Sequence, residues 1–148
     1  MKANELMTSE PFAVTPEESI IRASELMRTI NVGSLPVLSS YGDRLLIGII
    51  TDRDICTRCV ASGHDGHCRI DTHMTKLPLY TVAESADVSE IVRKMEQGQV
   101  RRIPVIDKDN RLVGIIAQAD LAMRIGPQQP ELVEEVVEKL SMPATALA

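Results

Sequence analysis

Two short stretches hold residues whose types and spacing could do chemistry. Gly48-Ile49-Ile50-Thr51-Asp52-Arg53-Asp54-Ile55 returns 66 positions later as Gly114-Ile115-Ile116-Ala117-Gln118-Ala119-Asp120-Leu121, with the glycine, both isoleucines and the last aspartate in register. In the first copy Thr51 stands where an apolar strand gives way to a polar turn. Thr51 or Asp52 can cap the helix that follows, leaving its first backbone N–H groups as an anion site. Asp54 sets a carboxylate beside that positive end, and a carboxylate accepts two hydrogen bonds from a vicinal diol such as a ribose. Phosphate and ribose together describe a nucleotide. The plainer reading, a Thr51 cap with an acidic first turn that favours the helix dipole, stays open.

A second constellation is metallic in character. Every cysteine and histidine of the chain, Cys56, Cys59, His64, His67, Cys68 and His73, falls within 18 positions. Cys56-x-x-Cys59 followed by His64-x-x-His67 has metal-like spacing, and thiolate with imidazole suits tetrahedral zinc. Cys56 and Cys59 also stand three apart on an expected helix, where they serve equally as small apolar core residues. The expectation is a metal-free cluster and no required cofactor, with Cys56, Cys59, His64 and His67 as the candidate ligands should a metal bind.

Composition narrows the function classes. With 148 residues, 44% apolar and 25% charged, the chain can build a sizeable core. A net charge of −5 without a lysine or arginine run lacks the electrostatic footprint of a nucleic-acid or acidic-membrane binder. No apolar run approaches the ~18 residues of a membrane span, and no signal-peptide core follows Met1, so a cytoplasmic protein is expected. The odd count of three cysteines fits free thiols in a reducing compartment. Phe12, Tyr41 and Tyr80 are the only aromatic residues, too few to stack single-stranded bases, so a bound purine would lie between aliphatic side chains. No nucleophile and base share a recognisable setting and no Gly-x-x-x-x-Gly-Lys loop occurs, so no catalysis is expected.

The positioning elements follow from periodicity. Pro11 to Val14 reads as extended. Thr15-Pro16-Glu17-Glu18 has the form of a capping box, with Ser19 as the other possible cap, ahead of Ile20, Ala23, Met27 and Ile30 on one helical stripe. Leu35 to Leu38 and Leu45 to Ile50 form a hairpin, and Asp52 to Ala61 a second helix. The order repeats from Tyr80-Thr81-Val82, through a helix capped by Asp87 that Gly98 ends, to a hairpin of Ile103 to Ile106 with Leu112 to Ile116. Its turn should be two residues shorter than the first. The last repeated helix is Ala117 to Ile125. Each half has about 60 residues, a size at which a lone core is marginal, so the halves should form one pseudo-symmetric α+β unit, β-α-β-β-α twice, packed sheet to sheet. Leu132, Val133, Val136, Val137 and Leu140 then make an apolar stripe on a C-terminal helix, docked on its own core or on a second copy.

On these residues the chain resembles a tandem pair of CBS domains, the Bateman module, in its small stand-alone bacterial form. The resemblance rests on the doubled glycine–apolar–apolar–(Thr/Ser)–x–x–Asp motif and on Val32-Gly33-Ser34-Leu35-Pro36-Val37 and Val100-Arg101-Arg102-Ile103-Pro104-Val105 before the two hairpins. It divides the chain into repeat 1 with its N-terminal segment and link (1–67), repeat 2 (68–126) and a helical tail (127–148). It implies a regulatory module that binds adenosine-containing ligands (AMP, ADP, ATP, NAD-type dinucleotides, S-adenosylmethionine) in the cleft between copies, as a homodimer that signals to a protein it does not identify. Carried over residue by residue, site A would use Thr51 and Asp54 with Thr81, Val82, Val100, Arg101, Arg102 and Ile103. Site B would use Asp120 with Ala13, Val14, Val32, Gly33, Ser34 and Leu35. Two arginines suit phosphate at site A. Site B departs from the pattern, because Ala117 replaces the hydroxyl residue and Gly33-Ser34 bring no charge. Arg53 is expected to face solvent. The alternative function is a structural or redox/metal adaptor built on the Cys/His cluster.

Overall fold

The computed structural model describes residues 1–141, so the last part of the expected tail, 142–148, lies outside the described residues. The fold is α+β, with a three-stranded and a four-stranded sheet in two compact units. The first-repeat unit gathers Phe12–Leu79 with Asp109–Leu112, whereas the second-repeat unit gathers Met1–Pro11, Tyr80–Lys108 and the chain from Val113 on.

In the first-repeat unit, helix α2 (Ile20–Ile30) starts on Ser19, whose Oγ accepts the Arg22 N–H at 3.0 Å. Of the two caps open in the sequence, Ser19 is the one used. The Thr15/Glu18 pair does form, with the Thr15 N–H donating to Glu18 Oε2 at 2.7 Å, but it closes the turn before the helix. Ile20, Ala23, Leu26 and Met27 are buried, and Asn31 ends α2 in the left-handed region. Strands β2 (Ser34–Leu38) and β3 (Leu46–Thr51) pair antiparallel, and β4 (Thr75–Lys76) adds antiparallel to the far edge of β3. The extended stretch expected at residues 11–14 contributes a single parallel bridge, Val14 to Val37.

Strand β3 buries Leu46, Gly48 and Ile50 in alternation, the period of a pleated strand. Full burial of a side chain such as Ile50 stabilises by about 1.5–3 kcal/mol. Gly48 is required by a close approach. A Cβ there would stand 2.8 Å from both Met74 Sδ and the Thr75 carbonyl oxygen. Met74 follows the short helix α4 (Ile70–His73), which leads directly into β4. The helix expected over Asp52 to Ala61 is not one regular α-helix: α3 (Asp52–Asp54) passes into a π-helix over Ile55–Val60.

The second-repeat unit repeats the plan. Helix α5 (Val88–Gly98) is capped by Asp87, whose Oδ1 accepts the Glu90 N–H at 2.9 Å, and it buries Val88, Ile91, Val92 and Met95. Gly98 is its last residue, and Gln99 takes the left-handed cap. Strand β5 (Val82–Ala83) pairs parallel with β6 (Arg102–Ile106), followed by β7 (Leu112–Ala117). The edge beyond β7 is filled by β1 (Thr8–Ser9), antiparallel, which follows helix α1 (Ala3–Leu6). Gly114 faces the Met7 side chain as Gly48 faces Met74. Each sheet thus takes an edge strand from the segment that precedes the other repeat. The hairpin turns span residues 39–45 and 107–111, so the first is two residues longer, as expected.

Helices α6 (Gln118–Arg124) and α7 (Pro130–Ser141) complete this unit. Val136 and Leu140 enter its core, Leu132 and Val133 pack at the edge, and Val137 is 43% exposed. The stripe therefore docks within its own unit, against α5 and α6. Lys139 adds a 3.2 Å ion pair to Glu96 of α5.

Candidate functional site

The turn from β3 into α3 is a reciprocal cap. Thr51 Oγ1 accepts the Asp54 N–H at 3.0 Å, and Asp54 Oδ2 accepts the Thr51 N–H at 3.1 Å. Asp54 is only 7% exposed, and its carboxylate gathers two further partners: the Thr75 hydroxyl, 3.3 and 3.4 Å from its two oxygens, and Arg58 Nε, 3.7 Å from Oδ1. A carboxylate has about four acceptor positions, so donors from Thr51 and Thr75 leave room for a diol. Arg53 is exposed. The corresponding turn in the second-repeat unit is half made. Asp120 Oδ2 accepts the Ala117 N–H at 2.7 Å, but Ala117 has no side-chain oxygen to accept the Asp120 N–H in return.

The pre-hairpin segments are tied to these turns within each unit. The Gly33 carbonyl accepts the Asp52 N–H at 2.9 Å, and the Arg101 carbonyl accepts the Gln118 N–H at 2.8 Å. Val14 and Leu35 are buried and Ala13, Val32, Gly33 and Ser34 half-buried. In the other unit, Val82 and Ile103 are buried, Thr81, Val100 and Arg102 half-buried and Arg101 exposed. Thr51 and Asp54 share the first-repeat unit with the segments around Val14 and Ser34, whereas Asp120 shares the second with Thr81, Val82 and residues 100–103. Each compact unit thus holds the aspartate expected for one site together with the pre-hairpin segment expected for the other.

The Cys/His stretch converges. Ligand atoms of Cys59, His64, Cys68 and His73 lie within 4.8 Å of one another. Of the four ligands considered from spacing, Cys59 and His64 belong to this group and Cys56 and His67 do not. Cys56 is exposed, and His67 pairs instead with Asp65 at 3.2 Å. For Cys56 the reason is the π-helix: the i→i+5 bond that closes it, Ala61 N–H to the Cys56 carbonyl, widens the turn and puts the exposed Cys56 and the buried Cys59 on different faces. His73 and Cys68 come from α4 and the segment ahead of it.

Two thiols and two imidazoles are the donor types of a tetrahedral zinc site. His64 Nδ1 and His73 Nε2 are 3.2 Å apart, a hydrogen-bond distance that is also close to the ~3.3 Å edge of a tetrahedron with Zn–N of 2.0–2.1 Å. Burial pushes the His73 pKa down, with His64 and Arg58 adding to it, and so favours the neutral imidazole that ligates a metal. Desolvation pushes the Cys68 thiol up, and Cys59 and Asp65 reinforce it. A thiolate there needs a cation to stabilise it.

The doubled turn, the doubled hairpin and the crossed edge strands define a pair of related α+β repeats. A family model of the CBS domain matches residues 3–60 and 69–126, and the chain belongs to that family. It is 34% identical over 123 residues to hypoxic response protein 1 of Mycobacterium tuberculosis, covering 83% of this chain and 84% of that one. Among solved structures it resembles hypoxic response protein I with two coordinated zinc ions (34% identity, TM-score 0.75, covering 84% of this chain and 98% of that one). It also resembles CBSX2 in complex with AMP (25% identity, TM-score 0.71, covering 87% and 98%).

Proposed function

We propose that this chain is a non-catalytic sensor of adenosine-containing nucleotides. The observation that carries the reading is the Thr51/Asp54 turn, where a nearly buried carboxylate with spare acceptor positions stands beside a capped helix start. Asp54 and Thr51 are assigned to the ribose and its neighbouring groups, and Arg101 and Arg102 to phosphate, with Thr81, Val82, Val100 and Ile103 lining site A. Asp120 with Ala13, Val14, Val32, Gly33, Ser34 and Leu35 forms the weaker site B. The AMP complex of CBSX2 supports the ligand class. The protein is assigned to the cytoplasm, as a homodimer that reports occupancy to another protein. A thermal-shift panel of AMP, ADP, ATP, NAD and S-adenosylmethionine tests the reading. A ligand that binds only the folded state, at 100 times its Kd, adds about 2.7 kcal/mol of stability. No shift with any of the five would refute it.

A second reading concerns the metal, and it is compatible with the first. Convergence of Cys59, His64, Cys68 and His73 favours a structural zinc site, and the zinc in the similar hypoxic response protein I supports it. The four residues would clip the π-helix to α4. Metal analysis of protein dialysed without added zinc should find one equivalent per chain, lost on Cys59→Ser and retained on Cys56→Ser. Metal-free protein after purification in zinc-replete medium contradicts this.

A further inference from the structure

The two sites share a wall. Cys59 is preceded by Arg58, whose Nη1 lies 3.5 Å from the His73 carbonyl oxygen and 3.3 Å from that of Met74, while its Nε stands 3.7 Å from Asp54 Oδ1. Two residues past His73, the Thr75 hydroxyl donates to the Asp54 carboxylate. Both outside groups that hold Asp54 are therefore covalently next to, or two residues from, a member of the Cys/His cluster. We propose that metal binding by Cys59, His64, Cys68 and His73 raises the affinity of the Asp54 turn for its nucleotide, acting through Arg58 and Thr75. The proposal rests on both readings above and adds a linkage between them.

The physical basis is preorganisation. Helix α4 has only four residues, too few to be stable alone. The buried Ile70 and the N–H bonds of Ile70 and Asp71 to the Glu18 and Pro16 carbonyls anchor its start. Its end at His73 faces the π-helix, from which the turn at 61–63 and irregular backbone separate it in the chain. An ion held by His73 and Cys59 pins the end of α4 to the π-helix. That fixes the carbonyls on which Arg58 rests and the start of β4, where Thr75 sits. With Arg58 and Thr75 fixed, the Asp54 carboxylate meets a diol in one orientation. The ordering entropy has already been lost when the metal bound, so the nucleotide does not lose it again. Without the ion the carboxylate keeps its Thr51 N–H bond but is less restrained on the other side. Linkage makes the effect reciprocal: the nucleotide must tighten the metal by the same factor.

The test uses the full chain and AMP as probe. Calorimetric titration compares zinc-loaded protein, dialysed free of unbound metal so that AMP meets no free zinc, with the same protein stripped by a chelator. The expected result is an AMP Kd about tenfold lower with zinc, within the usual range of coupling. In a competition assay with a colorimetric chelator, AMP should tighten zinc by the same factor. Arg58→Met, zinc-loaded and stripped, should bind zinc like the wild type but show a clearly smaller difference. Equal AMP affinity in the loaded and stripped forms, both folded by circular dichroism, overturns the proposal. If the stripped protein unfolds, the competition assay on loaded protein decides, and zinc release unaffected by saturating AMP overturns the linkage. Protein that takes up no zinc refutes the metal reading, and zinc-loaded protein whose melting temperature shifts with none of AMP, ADP, ATP, NAD or S-adenosylmethionine refutes the nucleotide reading, so each failure is identified separately. Should one of the others bind and AMP not, that ligand takes the place of AMP as probe.

Discussion

At the scale of single residues, the decisive contrast lies between Asp54 and Asp120. Both accept the N–H three positions back, but only the first has a hydroxyl cap, a second donor in Thr75 and a cation in Arg58. A hydrogen bond to a charged group is worth about 1.5–3 kcal/mol, so Asp54→Ala should weaken AMP at least tenfold by calorimetry, while Asp120→Ala should change it much less. Should Asp120→Ala abolish binding and Asp54→Ala leave it intact, site B is the working site. Arg101→Ala combined with Arg102→Ala should spare adenosine yet weaken ATP, and that loss should shrink at high salt because the wild-type attraction is screened there. The cap and the acid were legible from the sequence because their bonds span three residues. Thr75 was not, since it reaches Asp54 across 21 positions and only strand pairing of β4 with β3 brings it there.

At the scale of elements, one unexpected helix type decides the chemistry of the cysteines. The Cys-x-x-Cys and His-x-x-His spacing named Cys56 and His67 among the ligands, whereas an α-helix over 52–61 would have made Cys56 and Cys59 small core residues on one face. The π-helix separates them and turns Cys59 inward, to 0% exposure, where α4 delivers His73. Cys68→Ser and His73→Asn should therefore each lose zinc in the metal assay, whereas His67→Asn should keep it, and equal retention by all three would place the ion elsewhere. The clustering in sequence was visible, but no local pattern announced the wider turn. The α7 stripe was read correctly in period, and its docking on α5 and α6 gives it a measurable weight. Removing residues 128–148 takes the buried Val136 and Leu140 from the core, about 1.5–3 kcal/mol for each side chain. The melting temperature should fall, and an unchanged one would mean that the helix contributes nothing to its unit.

At the scale of the whole molecule, the repeat was legible because both copies keep the same order of strand, helix and hairpin. The exchange of edge segments was not, because Thr8-Ser9 and Thr75-Lys76 are two-residue strands with no periodicity of their own. Their place is set by the methionine that precedes each of them, Met7 or Met74, lying over a partner glycine in β7 or β3. The described residues also leave apolar groups outside: Val60 is 62% exposed and Ile21 37%, on the rim of a cavity of about 570 Å³ between α2 and the π-helix, and Met123 is 79% exposed. Scattered exposure of this kind is ordinary, but two aliphatic side chains beside an open concavity suit burial against a second copy, and a two-fold dimer covers the same patch on both chains. Sedimentation should accordingly give a dimer at tens of micromolar. Val60→Glu places two like charges into that contact, one from each chain, and should shift the equilibrium toward monomer without lowering zinc content. Wild-type protein that sediments as a monomer would remove the homodimer from the proposed function. A dimer indifferent to Val60→Glu would move the contact to another surface, with Met123→Glu as the next substitution to measure.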